Sequence, residues 1–156
     1  MRIIASDDVN AVVRLHRQVY EAEFGLDPSF AQGVATRLAE LRRDGFPGPR
    51  DGLWLAELHG EVVGSITLNE ESRALGRLGH LVLLPEARGT GAGRRLVETV
   101  LDAAQAVGYE RLQLFTFDGL TAAGSLYRSV GFDLVSSEDV VRWGRRMDWQ
   151  RYELAL

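Results

Sequence analysis

The chain predicts an α/β fold, and three features carry that prediction. Strand-like apolar runs alternate with segments of helical spacing, the connections between them are short and marked by Gly or Pro, and no repeat or low-complexity tract interrupts the series. A length of 156 residues with 46% hydrophobic content suits one domain, taken as residues 1–156. Arg2 to Ala5 is a short first strand. Ser6 is a suitable N-cap, and Val9, Val12, Val13, Leu15, Val19 and Tyr20 carry a helix to about Phe24. A turn at Gly25-Leu26-Asp27-Pro28 follows. Pro28 suits a first helical position, and Phe30, Val34, Leu38 and Leu41 mark a second helix ending by Gly45. After the loop Gly45-Phe46-Pro47-Gly48-Pro49, Leu53 to Leu58 and Val62 to Leu68 form a hairpin around His59-Gly60-Glu61. A third long strand, about Ala74 to Leu84, feeds a helix from Gly91 to Val107, and Arg111 to Phe117 is a buried strand. A short helix around Tyr127 and a last hairpin, Phe132 to Ser136 with Arg151 to Leu156, complete the chain.

Composition excludes several classes of function. The formal net charge of −4 argues against bulk attraction to nucleic acid or an anionic membrane, and an acidic surface would suit a cationic amine. No cysteine is present, so disulfides, thiolate metal sites and a cysteinyl intermediate are all removed. Three scattered histidines without an H-E-x-x-H pattern argue against a metal. The absence of an N-terminal signal region and of a long apolar run leads us to expect a cytoplasmic, soluble protein without membrane contact. All 18 basic residues are arginines.

The most informative segment is Leu81-Val82-Leu83-Leu84-Pro85-Glu86-Ala87-Arg88-Gly89-Thr90-Gly91-Ala92-Gly93-Arg94-Arg95-Leu96, an apolar strand, a Pro stop, a glycine-rich turn and a helix start. The first turn of a helix leaves N–H groups unpartnered and partly positive, and anions collect there. Glycines let a phosphate approach the main chain, and Arg88, Arg94 and Arg95 add fixed charge. A P-loop requires lysine, which the chain lacks, and counting G-x-G-x-x-G from Gly89 or Gly91 ends on Arg94 or Leu96. What fits is R-x-x-G-x-G over Arg88, Gly91 and Gly93. A second segment, Ala123-Gly124-Ser125-Leu126-Tyr127-Arg128-Ser129-Val130-Gly131-Phe132, is a short helix carrying a tyrosine and closed by Gly-Phe.

Together, in this order, the two segments resemble the coenzyme A signature and the tyrosine helix of the GNAT superfamily of N-acyltransferases. The resemblance implies the GNAT acyl-CoA N-acyltransferase fold, a mixed six- to seven-stranded sheet flanked by about four helices, with acetyl-CoA as cofactor and homodimer formation. It covers essentially the whole chain. Tyr20 to Phe30 and Trp143-Gly144 through Tyr152-Glu153-Leu154 are similar to the acetyltransferase half of proteins in which a MarR-type winged helix precedes a GNAT domain, although no winged helix is present here. One departure is that Phe117 stands where relatives often carry Asn, just after the fifth strand.

By that resemblance an amine, on a small molecule or a peptide, attacks the acetyl thioester directly in a ternary complex. Leu81, Val82 and Leu83 would offer backbone groups to the pantetheine arm where their strand splays from its neighbour, with the Leu81 N–H facing the acetyl oxygen. Arg88, Gly89, Thr90, Gly91, Ala92, Gly93 and Arg94 would form the diphosphate cradle, and Tyr127 would protonate the leaving thiolate. The general base is open. His80 has a suitable intrinsic pKa, but strict strand alternation puts it with Val82 and Leu84, opposite Gly79, Leu81 and Leu83. Glu23 would bind or deprotonate an ammonium, and a water chain would serve equally. His16 reads as a surface or packing residue and His59 as a turn residue. Two other readings stay open: a module that binds acyl-CoA and transfers nothing, and a transferase of another short acyl group.

Overall fold

The computed structural model describes residues 1–156. The chain runs through β1 (Arg2–Ala5), α1 (Val9–Phe24), α2 (Ser29–Arg43), β2 (Gly52–Leu58), β3 (Glu61–Glu70), β4 (Leu75–Leu83), α3 (Ala92–Val107), β5 (Arg111–Phe117), α4 (Thr121–Ser129), β6 (Asp133–Arg142) and β7 (Arg145–Ala155), with a 3-10 turn at Pro85–Ala87. All seven strands form one sheet in the order β1-β2-β3-β4-β5-β7-β6. Every neighbouring pair is antiparallel except β4 and β5, which run parallel because α3 returns the chain to the same end.

Burial explains the layering. In β3 every residue from Val63 to Asn69 is buried, so both faces of the sheet centre are covered. Helix α1 turns Ala11, Val12, Leu15, His16, Val19 and Tyr20 inward, and α3 does the same with Leu96, Val97, Val100 and Ala104. Fully buried side chains such as Leu96 each contribute roughly 1.5–3 kcal/mol. His16 meets His80 on the side of the sheet that carries Thr67, whereas Gly93 of α3 stands against Leu83, which shares the opposite side with Gly64. The two helices therefore clasp the middle of the sheet from either side.

Three details differ from the sequence expectations. The cap of α1 is Asp8, whose carboxylate accepts from the Ala11 N–H, while Ser6 accepts from the Asp8 N–H one turn earlier. The last hairpin is far longer than expected. β6 and β7 continue to Arg142 and Arg145 and turn at Trp143-Gly144, both at positive φ. Polar alternation along a mostly exposed edge strand hides it from an apolar pattern search.

The third difference lies in β4. Ser65 pairs with Val82 but Thr67 pairs with Gly79, so His80 and Leu81 together stand opposite the single residue Ile66. This is a β-bulge, with His80 at φ 53°. A bulge cancels strict alternation, and it is what the placement of His80 by alternation missed.

Candidate active site

The parallel pairing of β4 with β5 ends at Arg77 opposite Gln113, and beyond it the two strands part. Because of the bulge, Leu81 has no ladder partner on β3 either. The gap opens into a cavity of about 660 Å³ that is walled by α1, α2, the free ends of β4 and β5, α4 and the β6-β7 turn. Its apolar wall includes Tyr20, Phe24, Phe30, Phe117 and Trp143, whose rings pack in tilted and edge-to-face pairs. Phe117, where an Asn was the family expectation, is part of this wall. The two outer segments around Phe30 and Trp143 meet here, joined by the Asp27 N–H donating to the Trp143 carbonyl at 3.0 Å.

One end of the cavity reaches the mouth of α3. Gly91 takes the N-cap position at φ 83° with no side-chain cap, and Gly89 also has positive φ. A Cβ at either glycine would meet nothing within 4 Å, so the approach to the main chain is open. The Ala92 N–H donates to the Thr90 hydroxyl, and Arg95 N–H to the Gly91 carbonyl. The amides of Gly89, Thr90, Gly91, Gly93 and Arg94 make no hydrogen bond within the protein. Five unpartnered donors at one helix mouth have the geometry that suits an anion. Gly93 has a packing role as well, since a Cβ there would press on Leu126 and Leu83 at 3.3 Å.

Tyr127 projects from α4 into the same cavity and is 5% exposed. Its hydroxyl has no hydrogen-bond partner in the protein, and burial pushes its pKa well above the usual tyrosine range. It stays protonated throughout the pH range of amine chemistry, the state a proton donor needs.

The cradle arginines are occupied differently from the sequence expectation. Arg88 makes a bidentate pair with Glu23, at 2.6 and 2.8 Å, and donates to the Leu83 carbonyl at 3.0 Å. Arg94 reaches across to the Ser129 hydroxyl at 2.8 Å. The Arg88 hydrogen bonds hold the Glu23 carboxyl below the usual carboxylate range. Glu23 does not line the cavity, and its carboxylate is paired with Arg88.

Histidines that look scattered in sequence come together in space. His16 and His80 both line the cavity, with ring centroids 5.6 Å apart. His16 Nδ1 lies 2.7 Å from the Val12 carbonyl, which only a protonated Nδ1 satisfies, and His80 Nδ1 is 2.8 Å from the Thr67 hydroxyl. Burial lowers their pKa values to about 4 for His16 and about 3 for His80, the latter helped by the charges of His16, Arg77 and Arg37. Both are neutral in the folded chain at neutral pH, and both take up a proton near pH 6.5 when unfolded. The unfolded state thus binds more protons as pH falls from 6.5 towards 4. Stability present above pH 6.5 is lost on acidification, with a slope of about 1.4 kcal/mol per pH unit for each histidine. Urea titrations from pH 7 to 4.5 will show this slope, and it will be shallower in His16→Gln. An unchanged slope in that variant would contradict the assignment.

Among the cavity residues to which the sequence reading gave no role are Asn69, Arg37 and Arg77. A signal was present. Ser65, Thr67 and Asn69 are polar at alternate positions of a strand whose other face is Gly64, Ile66 and Leu68, a polar row directed at something other than a core.

A sheet split beside a helix-mouth anion site, with a buried tyrosine at the end of the split, defines an acyl-coenzyme A transferase type of site. The Acetyltransferase (GNAT) family matches residues 9–132, and the chain belongs to that family. It is 30% identical over 136 residues to the uncharacterized N-acetyltransferase YjgM of Escherichia coli, covering 85% of this chain and 81% of that protein. A Schizosaccharomyces pombe relative, the uncharacterized N-acetyltransferase C1271.07c, is 33% identical over 118 residues, covering 74% and 71% of the two chains. Among solved structures, yncA of Salmonella typhimurium, a putative acetyltransferase with its cofactor acetyl-CoA, superposes with a TM-score of 0.80 at 20% identity, covering 99% of this chain and 93% of that one. The ribosomal-protein-alanine N-acetyltransferase from Brucella melitensis has a TM-score of 0.78 at 21% identity over the full length of both. These likenesses establish the seven-stranded GNAT fold.

Proposed function

We propose that this chain transfers an acetyl group from acetyl-CoA to an amine by direct attack, with Tyr127 as the proton donor to the departing sulfur. The observation that carries the reading is the set of five unpartnered amides at the mouth of α3, adjoining a cleft that leads to Tyr127 and Leu81. The amides of Gly89, Thr90, Gly91, Gly93 and Arg94 would hold the diphosphate, and the unpaired edge of β4 at Leu81, Val82 and Leu83 would hold the pantetheine arm. Acetyl-CoA bound there supplies an acyl group activated as a thioester. Leu81, which has no register partner in either neighbouring strand, would turn its N–H to the carbonyl oxygen as charge builds on it. The amine nitrogen would bond to the carbonyl carbon, the carbon–sulfur bond would break with the Tyr127 hydroxyl giving its proton to the departing sulfur, and the proton shed by the nitrogen would return to the tyrosinate, leaving amide, free thiol and neutral Tyr127. Holding both reactants in one cavity makes the encounter effectively unimolecular.

No Asp or Glu lines the cavity, and its two imidazoles are weak bases. The attacking amine must therefore arrive unprotonated. Thiol release from acetyl-CoA with a panel of amines will show a kcat/KM that rises with pH towards the pKa of the amine itself. A rate that levels off near pH 6 to 7 would instead reveal a dedicated base. A domain that binds acetyl-CoA and releases no thiol with any amine would contradict catalysis, and a faster rate with propionyl- or succinyl-CoA would reassign the acyl group.

A further inference from the structure

The end of the cavity away from α3 has a charge opposite to that of the protein. Net charge is −4, yet the cavity lining contains Arg37 and Arg77 here and no carboxylate. Arg37 reaches it from α2, one turn after Gly33. Arg77 is held in place by its guanidinium lying over the Phe115 ring, 4.6 Å from the centroid, and by Glu71 at 3.5 Å from outside the lining. Arg37 has only Glu40, at 4.0 Å on the helix surface. Besides burial, the Arg37 charge lowers the pKa of Arg77, and the charges of both arginines lower that of His80.

Asn69 supplies the independent observation. It faces Arg77 directly across β3 and β4, lines the same end of the cavity and is 4% exposed, yet its buried Nδ2 has no hydrogen-bond partner. Leaving a buried amide donor unmatched costs about 1–3 kcal/mol, a loss that a ligand oxygen would recover. Three donor side chains line this end, and the carboxylates that reach the two arginines, Glu71 and Glu40, stand outside the lining.

We infer that this end of the cavity binds a carboxylate on the acceptor, so that the amine acetylated by this chain belongs to an amino acid or a similar small amine bearing an acid group. The inference rests on the acetyl-transfer reading, and it names the substrate class of that site. Arg37 and Arg77 would take the carboxylate oxygens through charge-assisted hydrogen bonds, with the Asn69 amide as third donor. Asn69 lies two residues along β3 from Thr67, a spacing of about 7 Å, and Thr67 holds His80 beside the bulge. Long arginine side chains close that span to the few bonds separating an amine from its acid.

Two measurements test it. Calorimetric titration of the full chain with the common L-amino acids and with the corresponding carboxamides, in the presence of coenzyme A, reads the acid subsite without turnover. The thiol-release assay reads it in kcat/KM. At least one acid will bind and react about 10-fold or more better than its carboxamide, and Arg37→Gln and Arg77→Gln will each erase about 10- to 100-fold of that preference with the KM for acetyl-CoA unchanged. Arg77 also packs on Phe115, so Arg37→Gln, on the exposed side of α2, decides the matter if the other variant fails to fold. Equal binding of acids and carboxamides, no binding of either, or a preference intact in Arg37→Gln would overturn the inference. Binding of acids that is lost in Arg37→Gln, with no thiol released, would sustain the subsite and overturn the acetyl-transfer reading instead.

Discussion

Tyr127→Phe will lower kcat for acetyl transfer by about 100-fold or more while leaving the KM for acetyl-CoA and the melting temperature almost unchanged. The substitution removes one oxygen and keeps the ring that packs against Phe132 and Tyr152. Because the hydroxyl makes no hydrogen bond inside the protein, its loss orphans no partner and stability should not fall. What is lost is proton donation to the leaving sulfur, an interaction made only as the carbon–sulfur bond breaks. The separation of kcat from binding is the signature, and steady-state kinetics with thermal melts read it. A change of less than about 3-fold in kcat would show that sulfur leaves without this proton.

Gly91→Asp will weaken acetyl-CoA binding by about 100-fold or more at little cost to the fold. Asp tolerates a left-handed φ better than most residues and is favoured at helix N-caps, so α3 keeps its start. Nothing lies within 4 Å of the new Cβ. The introduced carboxylate, however, stands beside the Gly93 and Arg94 amides and accepts the hydrogen bonds that the diphosphate would use. It also places negative charge against negative charge. Calorimetry with acetyl-CoA reads the loss, and an affinity within a few-fold of the parent chain would mean that the anion is held elsewhere.

The legible and illegible parts of this chain divide along a physical line. Elements with local signals were placed well: the helix read from Gly91 to Val107 and the turn from Pro85 to Gly93 stand in the structure where the sequence put them. The Arg88, Gly91 and Gly93 pattern was readable because helix geometry alone creates its donors. Three features were not. The bulge at His80 and Leu81 depends on β3 pairing 15 residues away in sequence, so alternation within β4 sets Gly79 opposite His80, whereas both lie on the Thr67 side. Glu23 and Arg88 are 65 residues apart, and only the fold reveals that each occupies the other. The cationic end of the cavity was hidden by the opposite sign of the whole chain, since net charge describes the solvated surface and says nothing of a lining drawn from Arg37, Asn69 and Arg77.

Titration of the purified chain with acetyl-CoA and with acetyl-pantetheine, which carries the same thioester and arm but no diphosphate, tests the central claim most directly. Grip by the Gly89 to Arg94 amides predicts saturable heat with acetyl-CoA, none with acetyl-pantetheine at the same concentrations, and loss of the acetyl-CoA signal in Gly91→Asp. Equal affinity for the two compounds, or heat from neither, would contradict it.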